Sequence, residues 1–478
     1  MNKDLGHKAA KGAIWATIDR FGSMTIQFAV NLILARLLLP KDFGIIGMLA
    51  VFTAISQTLI DGGFGSALIQ KKVPTQTDYS TIFYWNIFFS TILYILLFLF
   101  APLIAEFYKM PLLCNVLRLL ALSLILNGAL TIQRTRLQKS LAFKSIAIVN
   151  ISSYLIGATS AVIMAYKGFG VWSLVGMQLI YSGSGIILMW LVTRWKPSFE
   201  FSINSIKELF GFGGYIMAAN ILQTISQNVQ GIIIGKRFSA TQMGYFSQAY
   251  KLDQITSYTI PQVIVQVMYP VYSSIQDDKK RLNEMVLMNM RVITFIVYPI
   301  LAVLILIAAP LIEFLYGQKW LPSAPYFQVL CVGGFFVCLQ NLNFYAIAAV
   351  GKSKSLFKWS FYKWGFLLAS LIIGMNFGMY GILWGMVISS ANIFLTNAFL
   401  ARKHTGLEVG KQIFSITPII IIILSSTIIS YCIHLFTNNI AIYLFTYLTS
   451  YFYLSFISHL KALDDTKNII FQIISYRR

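Results

Sequence analysis

The chain has 478 residues, of which 57% are hydrophobic and only 11% charged, and its mean hydropathy is +0.72. That is too little polar surface to cover a soluble globule of this size, so a water-soluble enzyme or binding domain is excluded and lipid must be the main solvent. The formal charge of +21 fits either a nucleic-acid surface or basic loops on an anionic membrane face, and the placement of the cations decides between them.

A membrane helix needs about 20 predominantly apolar residues, and on that rule the sequence predicts fourteen. The first seven cover 12–36, 43–69, 81–108, 112–132, 143–166, 169–192 and 211–235. The second seven cover 243–275, 285–316, 326–350, 356–376, 378–400, 413–435 and 440–460. The N-terminus is basic, but its apolar run is broken by Asp19 and Arg20 and shows no small-residue cleavage signal, so it is expected to be the first membrane helix and not a signal peptide.

Cations sort the connections into two kinds. One set holds Lys3, Lys8, Lys11, Lys71, Lys72, Arg134, Arg136, Lys139, Lys144, Arg194, Lys196 and Lys207. It continues with Lys279, Lys280, Arg281, Lys352, Lys354, Lys358, Arg402, Lys403, Lys411, Lys461, Lys467, Arg477 and Arg478. The alternate loops hold only Lys41, Lys109, Lys167, Lys236, Arg237 and Lys319, so the balance is 25 against 6. The positive-inside rule then puts both termini in the cytoplasm. Spread over eight short segments, the basic residues do not form the single patch that a nucleic acid needs.

The halves repeat. Ala101, Pro102, Leu103 and Ile104 recur as Ala309, Pro310, Leu311 and Ile312, an offset that also carries Lys71 and Lys72 onto Lys279 and Lys280. Nearer the start of each half, Gly44 matches Gly244 at an offset of about 200, so a short insertion is expected in the eighth segment. Six spans per repeat keep both halves in one orientation, related by an axis along the membrane normal. The expected fold is an all-α polytopic membrane protein of about fourteen transmembrane helices, with two six-helix lobes related by a pseudo-two-fold axis plus two C-terminal helices. The domains run 1–199, 200–404 and 405–478. In the linker, Ser205 and Glu208 stand at capping-box spacing, which suits either a short interfacial helix or an ordinary connector.

Several stretches then resemble a known family: LLLPKDFGIIGM at 37–48, LIDGGFGSALIQKK at 59–72, STIFYWN at 80–86 and APLIAEFY at 101–108. GYFSQAYKL, beginning at Gly244, and MYPVYSSIQDDKKRL, ending at Leu282, belong to the same set. Together they are similar to the polysaccharide transporter family of the multidrug/oligosaccharidyl-lipid/polysaccharide exporter superfamily. Gln248 stands where members often carry Arg, and Tyr269 where they carry Phe. The resemblance implies a V-shaped two-lobed bundle, a central cavity lined by the first and seventh helices among others, and alternating access. The implied cargo is an undecaprenyl-diphosphate-linked glycan, with a polysaccharide polymerase and a chain-length regulator as implied partners besides membrane lipid. Nucleic acid is not among them.

Charged and polar residues within spans are costly and are functional candidates by default. Asp19, Ser23, Gln27 and Asn31 recur every fourth residue in the first span, and Asn220, Gln223, Gln227 and Gln230 mark one face of the seventh. Either stripe could hydrogen-bond sugar hydroxyls in a wet cavity or bind a neighbouring helix. Arg20, Arg291 and Lys363 fall just inside the expected cytoplasmic ends, where they could gather a diphosphate or anchor by snorkelling. Lys251 lies toward the other end of the eighth span as a lip residue. Asp61 is a candidate for ion coupling or for pairing with Arg20. Cys114, Cys331, Cys338 and Cys432, like the scattered histidines, have no metal or disulfide spacing, and no Walker A loop is present. The sequence therefore predicts no metal, cofactor or catalytic residue. The competing functions are a multidrug exporter, a peptidoglycan-precursor flippase and, least favoured for want of a sizeable outer loop, a membrane glycosyltransferase or polymerase.

Overall fold

A computed structural model of the chain describes residues 3–437 and 439–467. The tail cations Arg477 and Arg478 lie outside the described residues. Every described element is helical, as a chain in lipid requires when each backbone polar group must be satisfied within its own segment.

The chain divides into two compact units, Met1–Gly244 and Tyr245–Arg478. The first contains α1 (Lys3–Leu37), α2 (Pro40–Asp61), α3 (Phe64–Gln70), α4 (Gln76–Phe107), α5 (Leu112–Leu120), α6 (Leu122–Lys139), α7 (Phe143–Tyr166), α8 (Val171–Thr193) and α9 (Ile203–Arg237). α10 (Ala240–Gln254) opens at the boundary. The second unit continues with a π-helical turn (Ile255–Thr259), α11 (Ile260–Ser274), α12 (Lys279–Leu306), α13 (Ala308–Tyr316), α14 (Ala324–Ala349), α15 (Ser353–Gly374), α16 (Gly378–Thr405), α17 (Val409–Thr437) and α18 (Ile440–Ile457).

Each of the fourteen apolar segments is therefore helical, several in two pieces. Among the described residues, ten helical stretches are long and apolar enough to cross a membrane, one of which, Ser353–Thr405, is α15 and α16 run together. α1 and α9, the helices that carry the polar stripes, are not among them.

Local chemistry sets the ends. α4 begins with a reciprocal cap in which the Asp78 amide donates to the Thr75 hydroxyl at 3.1 Å and the Thr75 amide donates to the Asp78 carboxylate at 2.8 Å. α2 stops where Gly62 and Gly63 take φ of 50° and 70°, which a side chain resists. The same pair lets the elbow touch α9: a Cβ on Gly63 would stand 2.1 Å from the Gly213 carbonyl oxygen. Gly44 and Gly244, matched by the repeat, likewise meet backbone to backbone, since a Cβ on Gly44 would stand 1.7 Å from the Ala240 oxygen and one on Gly244 1.9 Å from the Pro40 oxygen.

Contacts place α9 with the first six spans, mainly against α2. The linker before it makes no separate interfacial helix. Ser202, not Ser205, caps α9 by accepting the Ser205 amide at 3.3 Å, and the helix then runs unbroken to Arg237. Glu208 instead meets Lys71 at 3.0 Å, and Lys71 also reaches Asp78 at 3.1 Å. Trp195 donates its indole N–H to Gln76 at 2.8 Å and lies 5.2 Å from the Arg136 guanidinium. The connector is thus strapped to the start of α4.

In the second unit α14 packs centrally against α12 and α16. The last two helices join it through specific bonds: Asn343 donates to Gln412 of α17 at 2.8 Å, and the Tyr451 hydroxyl of α18 donates to the Phe295 carbonyl at 2.9 Å.

Candidate functional site

The first unit encloses a polar cavity of about 470 Å³ between α2, α6, α7, α8 and α9. Its wall carries Gln57, Asp61, Asn127, Arg134, Asn150, Ser182 and Asn220. α6 supplies Asn127, Thr131, Arg134 and Gln138, spaced four, three and four, which is one face of a helix.

Two hydrogen-bonded chains organise these groups. In one, the Ser182 hydroxyl donates to Asn127 Oδ1 at 3.1 Å, Asn127 donates to Gln57 Oε1 at 3.0 Å, and Gln57 donates to the Asp61 carboxylate at 3.2 Å. In the other, Arg134 Nη2 donates to Asn150 Oδ1 at 2.9 Å, while Asn150 Nδ2 donates to both oxygens of Asp19 at 3.1 and 3.0 Å. Ser23 adds a longer bond to Asp19 at 3.4 Å. Asn150 is buried at 9% exposure, so its amide fixes the guanidinium against the carboxylate behind it. A preorganised cation and several amides around a polar chamber can bind an anion by charge-assisted bonds and sugar hydroxyls by neutral ones.

The sequence-derived candidates separate. Asp19, Asp61 and Asn220 belong to this cavity or its backing. On α1, Arg20 and Gln27 are exposed and Asn31 is half-buried; on α9, Gln223 and Gln227 are exposed. The α9 stripe partly serves adhesion, since the Thr224 hydroxyl lies 3.0 Å from that of Thr58 on α2 and Gln230 is buried. In the second unit Lys251 is exposed, Arg291 Nε donates to Asp465 at 2.6 Å, and buried Lys363 donates to Asn397 at 3.1 Å. Asp61 and Arg20 lie on different helices, and the side-chain bond recorded for Asp61 comes from Gln57.

Sequence reasoning missed Arg134, Asn150, Asn127, Gln57 and Ser182. By hydropathy Arg134 counts among the loop cations, because the apolar run ends at Ile132, whereas α6 continues to Lys139, whose ammonium donates to the Leu68 and Ile69 carbonyls at 2.9 Å. The spacing of Asn127, Thr131, Arg134 and Gln138 was the available signal.

Residues 33–325 match the family described as polysaccharide biosynthesis protein. The chain belongs to that family. Among similar proteins is the teichuronic acid biosynthesis protein TuaB of Bacillus subtilis, 26% identical over 434 residues that cover 90% of this chain and 89% of that one. The lipopolysaccharide biosynthesis protein WzxC of Escherichia coli is 23% identical over 90% of this chain and 88% of its own. Among solved structures, a lipid II flippase MurJ in an inward closed conformation superposes with a TM-score of 0.72 at 16% identity, covering 93% of this chain and 99% of that one. A multidrug resistance MATE transporter, inward-facing, gives 0.63 at 13% identity, over 80% and 94%. At these identities the structural likeness establishes the fold, and the family membership rests on the sequence match.

Proposed function

We propose that this chain is a flippase that passes a polyprenyl-diphosphate-linked oligosaccharide from the cytoplasmic to the periplasmic leaflet of a bacterial inner membrane, for surface polysaccharide assembly. The observation that carries the proposal is the intramembrane cavity of the first unit, with Arg134 held by Asn150 and amides on facing helices, in a member of the polysaccharide biosynthesis protein family. Relatives bearing transport names, such as the succinoglycan biosynthesis transport protein ExoT of Rhizobium meliloti, support it.

In this reading Arg134, oriented by Asn150, takes a diphosphate oxygen while Asn127 and Asn220 meet polar cargo groups. Arg20, Gln27, Asn31, Gln223 and Gln227 offer further polar contacts, Asp61 ends the hydrogen-bonded chain that runs through Gln57, and Lys251 and Lys363 act on the second unit's part of the path. Arg291, held by Asp465, anchors the segment after α18. Both termini face the cytoplasm, following the 25-to-6 cation asymmetry. Moving an anion outward with the electrical force of an inside-negative potential is favourable by about 2.3 kcal/mol per charge per 100 mV, so the diphosphate contributes to its own export.

Lipid extraction from a strain lacking the gene tests the proposal. A specific polyprenyl-diphosphate oligosaccharide should accumulate on the inner leaflet, and surface glycan should disappear. Unchanged lipid-linked intermediates together with new sensitivity to cationic dyes would instead identify a drug exporter.

A further inference from the structure

The second unit buries a carboxyl group that the cargo pathway above does not use. Asp253, near the end of α10, is only 3% exposed. Its hydrogen bond comes from the Ser257 hydroxyl at 2.5 Å, and Ser257 is wholly buried. Among the described residues no ion pair joins Asp253 to a cation.

Ser257 belongs to the π-helical turn Ile255–Thr259, within the eighth segment, where the repeat offset places extra residues. The turn is marked by the Thr259 hydroxyl, which donates to the Gln254 carbonyl five residues back at 3.2 Å. α14 presses on it from the other side, since a Cβ on Gly334 would stand 2.2 Å from Ser257 Oγ. The glycine makes room for the hydroxyl that serves Asp253.

The ionisable groups near this carboxyl are few. Tyr250 and exposed Lys251 lie on its own helix, and Tyr258 lies on the π turn. Cys331 and Cys338 are buried on α14, and Tyr298 of α12 donates its hydroxyl to the Phe335 carbonyl at 2.8 Å. Lys251, two positions from Asp253, leaves the helix on another face. An ionised carboxylate so placed would be desolvated without a counter-charge, whereas a carboxylic acid is satisfied by one hydroxyl. π-helical turns are rare, occur mostly as single-turn bulges inside α-helices and are frequent at functional sites.

We propose that Asp253 is a proton-binding site of the second unit, loaded as a neutral carboxylic acid in the buried arrangement and discharged when the π turn rearranges and admits water. Discharge breaks the Asp253 O–H bond and hands the proton to water, and loading reverses that step without electron transfer. The proposal is independent of the identity of the cargo.

Infrared spectroscopy of the full chain in phospholipid nanodiscs tests it. At neutral pH the wild type should show a protonated-carboxyl carbonyl stretch that Asp253→Asn removes. Ser257→Ala should move the same band to higher frequency, because its hydrogen-bond donor is gone. Transfer into D2O should shift the band, since the proton must be able to leave. A spectrum identical in wild type and Asp253→Asn, a band unmoved by Ser257→Ala, or a band that never exchanges would each overturn the proposal. If Asp253→Asn does not fold, Ser257→Ala and Asp253→Glu carry the same measurement.

Discussion

Replacing Arg134 with Gln removes the one guanidinium on the wall of the first unit's cavity while keeping most of the side-chain length. The wild-type group donates to Asn150 Oδ1 at 2.9 Å and has further N–H groups to offer an anion. A bidentate guanidinium–phosphate contact supplies two charge-assisted bonds of roughly 1.5–3 kcal/mol each. Gln can replace one of them with a neutral bond of about 1 kcal/mol, so the expected loss is about 3 kcal/mol, or roughly a hundredfold in affinity for the lipid diphosphate. Asn150→Ala should cost less, about tenfold, because it only releases the guanidinium from its orienting acceptor. The double variant should then be no worse than Arg134→Gln alone, since the two side chains act through one contact. Complementation of a flippase-null strain measures this, with surface glycan normalised to the amount of protein in the membrane. Wild-type glycan from Arg134→Gln at equal membrane level, or strictly additive losses in the double variant, would refute the assignment.

Arg20→Ala should abolish surface glycan while leaving the protein in the membrane; normal glycan would exclude a cargo role for Arg20. Gly244→Ala should destabilise the protein by about 3 kcal/mol or more, since its Cβ would meet the Pro40 carbonyl oxygen at 1.9 Å and rigid backbone cannot yield cheaply. Gly183→Ala, with nothing within 4 Å, should leave the melting temperature unchanged. Lys71→Met should cost about 1 kcal/mol, chiefly by taking the ion-pair partner from the buried Asp78 carboxylate, since exposed Glu208 is rehydrated. Burial pulls the Lys71 ammonium down, but the hydrogen bonds and charges of Glu208 and Asp78 outweigh it, so its pKa stands above the ordinary 10.5. A raised lysine stabilises fully below its unfolded pKa and loses that contribution as pH rises through the folded one. The gap between wild type and Lys71→Met in thermal unfolding should therefore be constant up to about pH 10.5 and close above it.

The membrane helices were legible because hydrocarbon imposes a length and a composition on each span. Fourteen apolar segments return as helices. What stayed hidden was lateral. A stripe such as Asn220, Gln223 and Gln227 says that one face is polar, but not whether water, cargo or another helix meets it; the structure gives Asn220 to the cavity and gives neighbouring Thr224 to α2. Arg134 was concealed for a different reason. Hydropathy ends a span at the first cluster of cations, whereas backbone hydrogen bonding carries α6 on to Lys139 and turns an apparent loop charge inward.

The two units handle buried charge differently, and this bears on the driving force. In the first, Asp19 and Arg134 are joined through Asn150, whose amide gives the guanidinium an acceptor and the carboxylate a donor. In the second, Asp253 has only a hydroxyl to satisfy it. Cargo affinity and proton binding would then reside in separate units, and a variant can remove one without the other. Asp253→Asn should still bind lipid diphosphate in detergent with wild-type affinity, but its flipping rate in proteoliposomes should no longer respond to an imposed pH gradient. Arg134→Gln should show the reverse, weak binding with the gradient response intact. If both variants lost both properties, the division of labour between the units would be wrong.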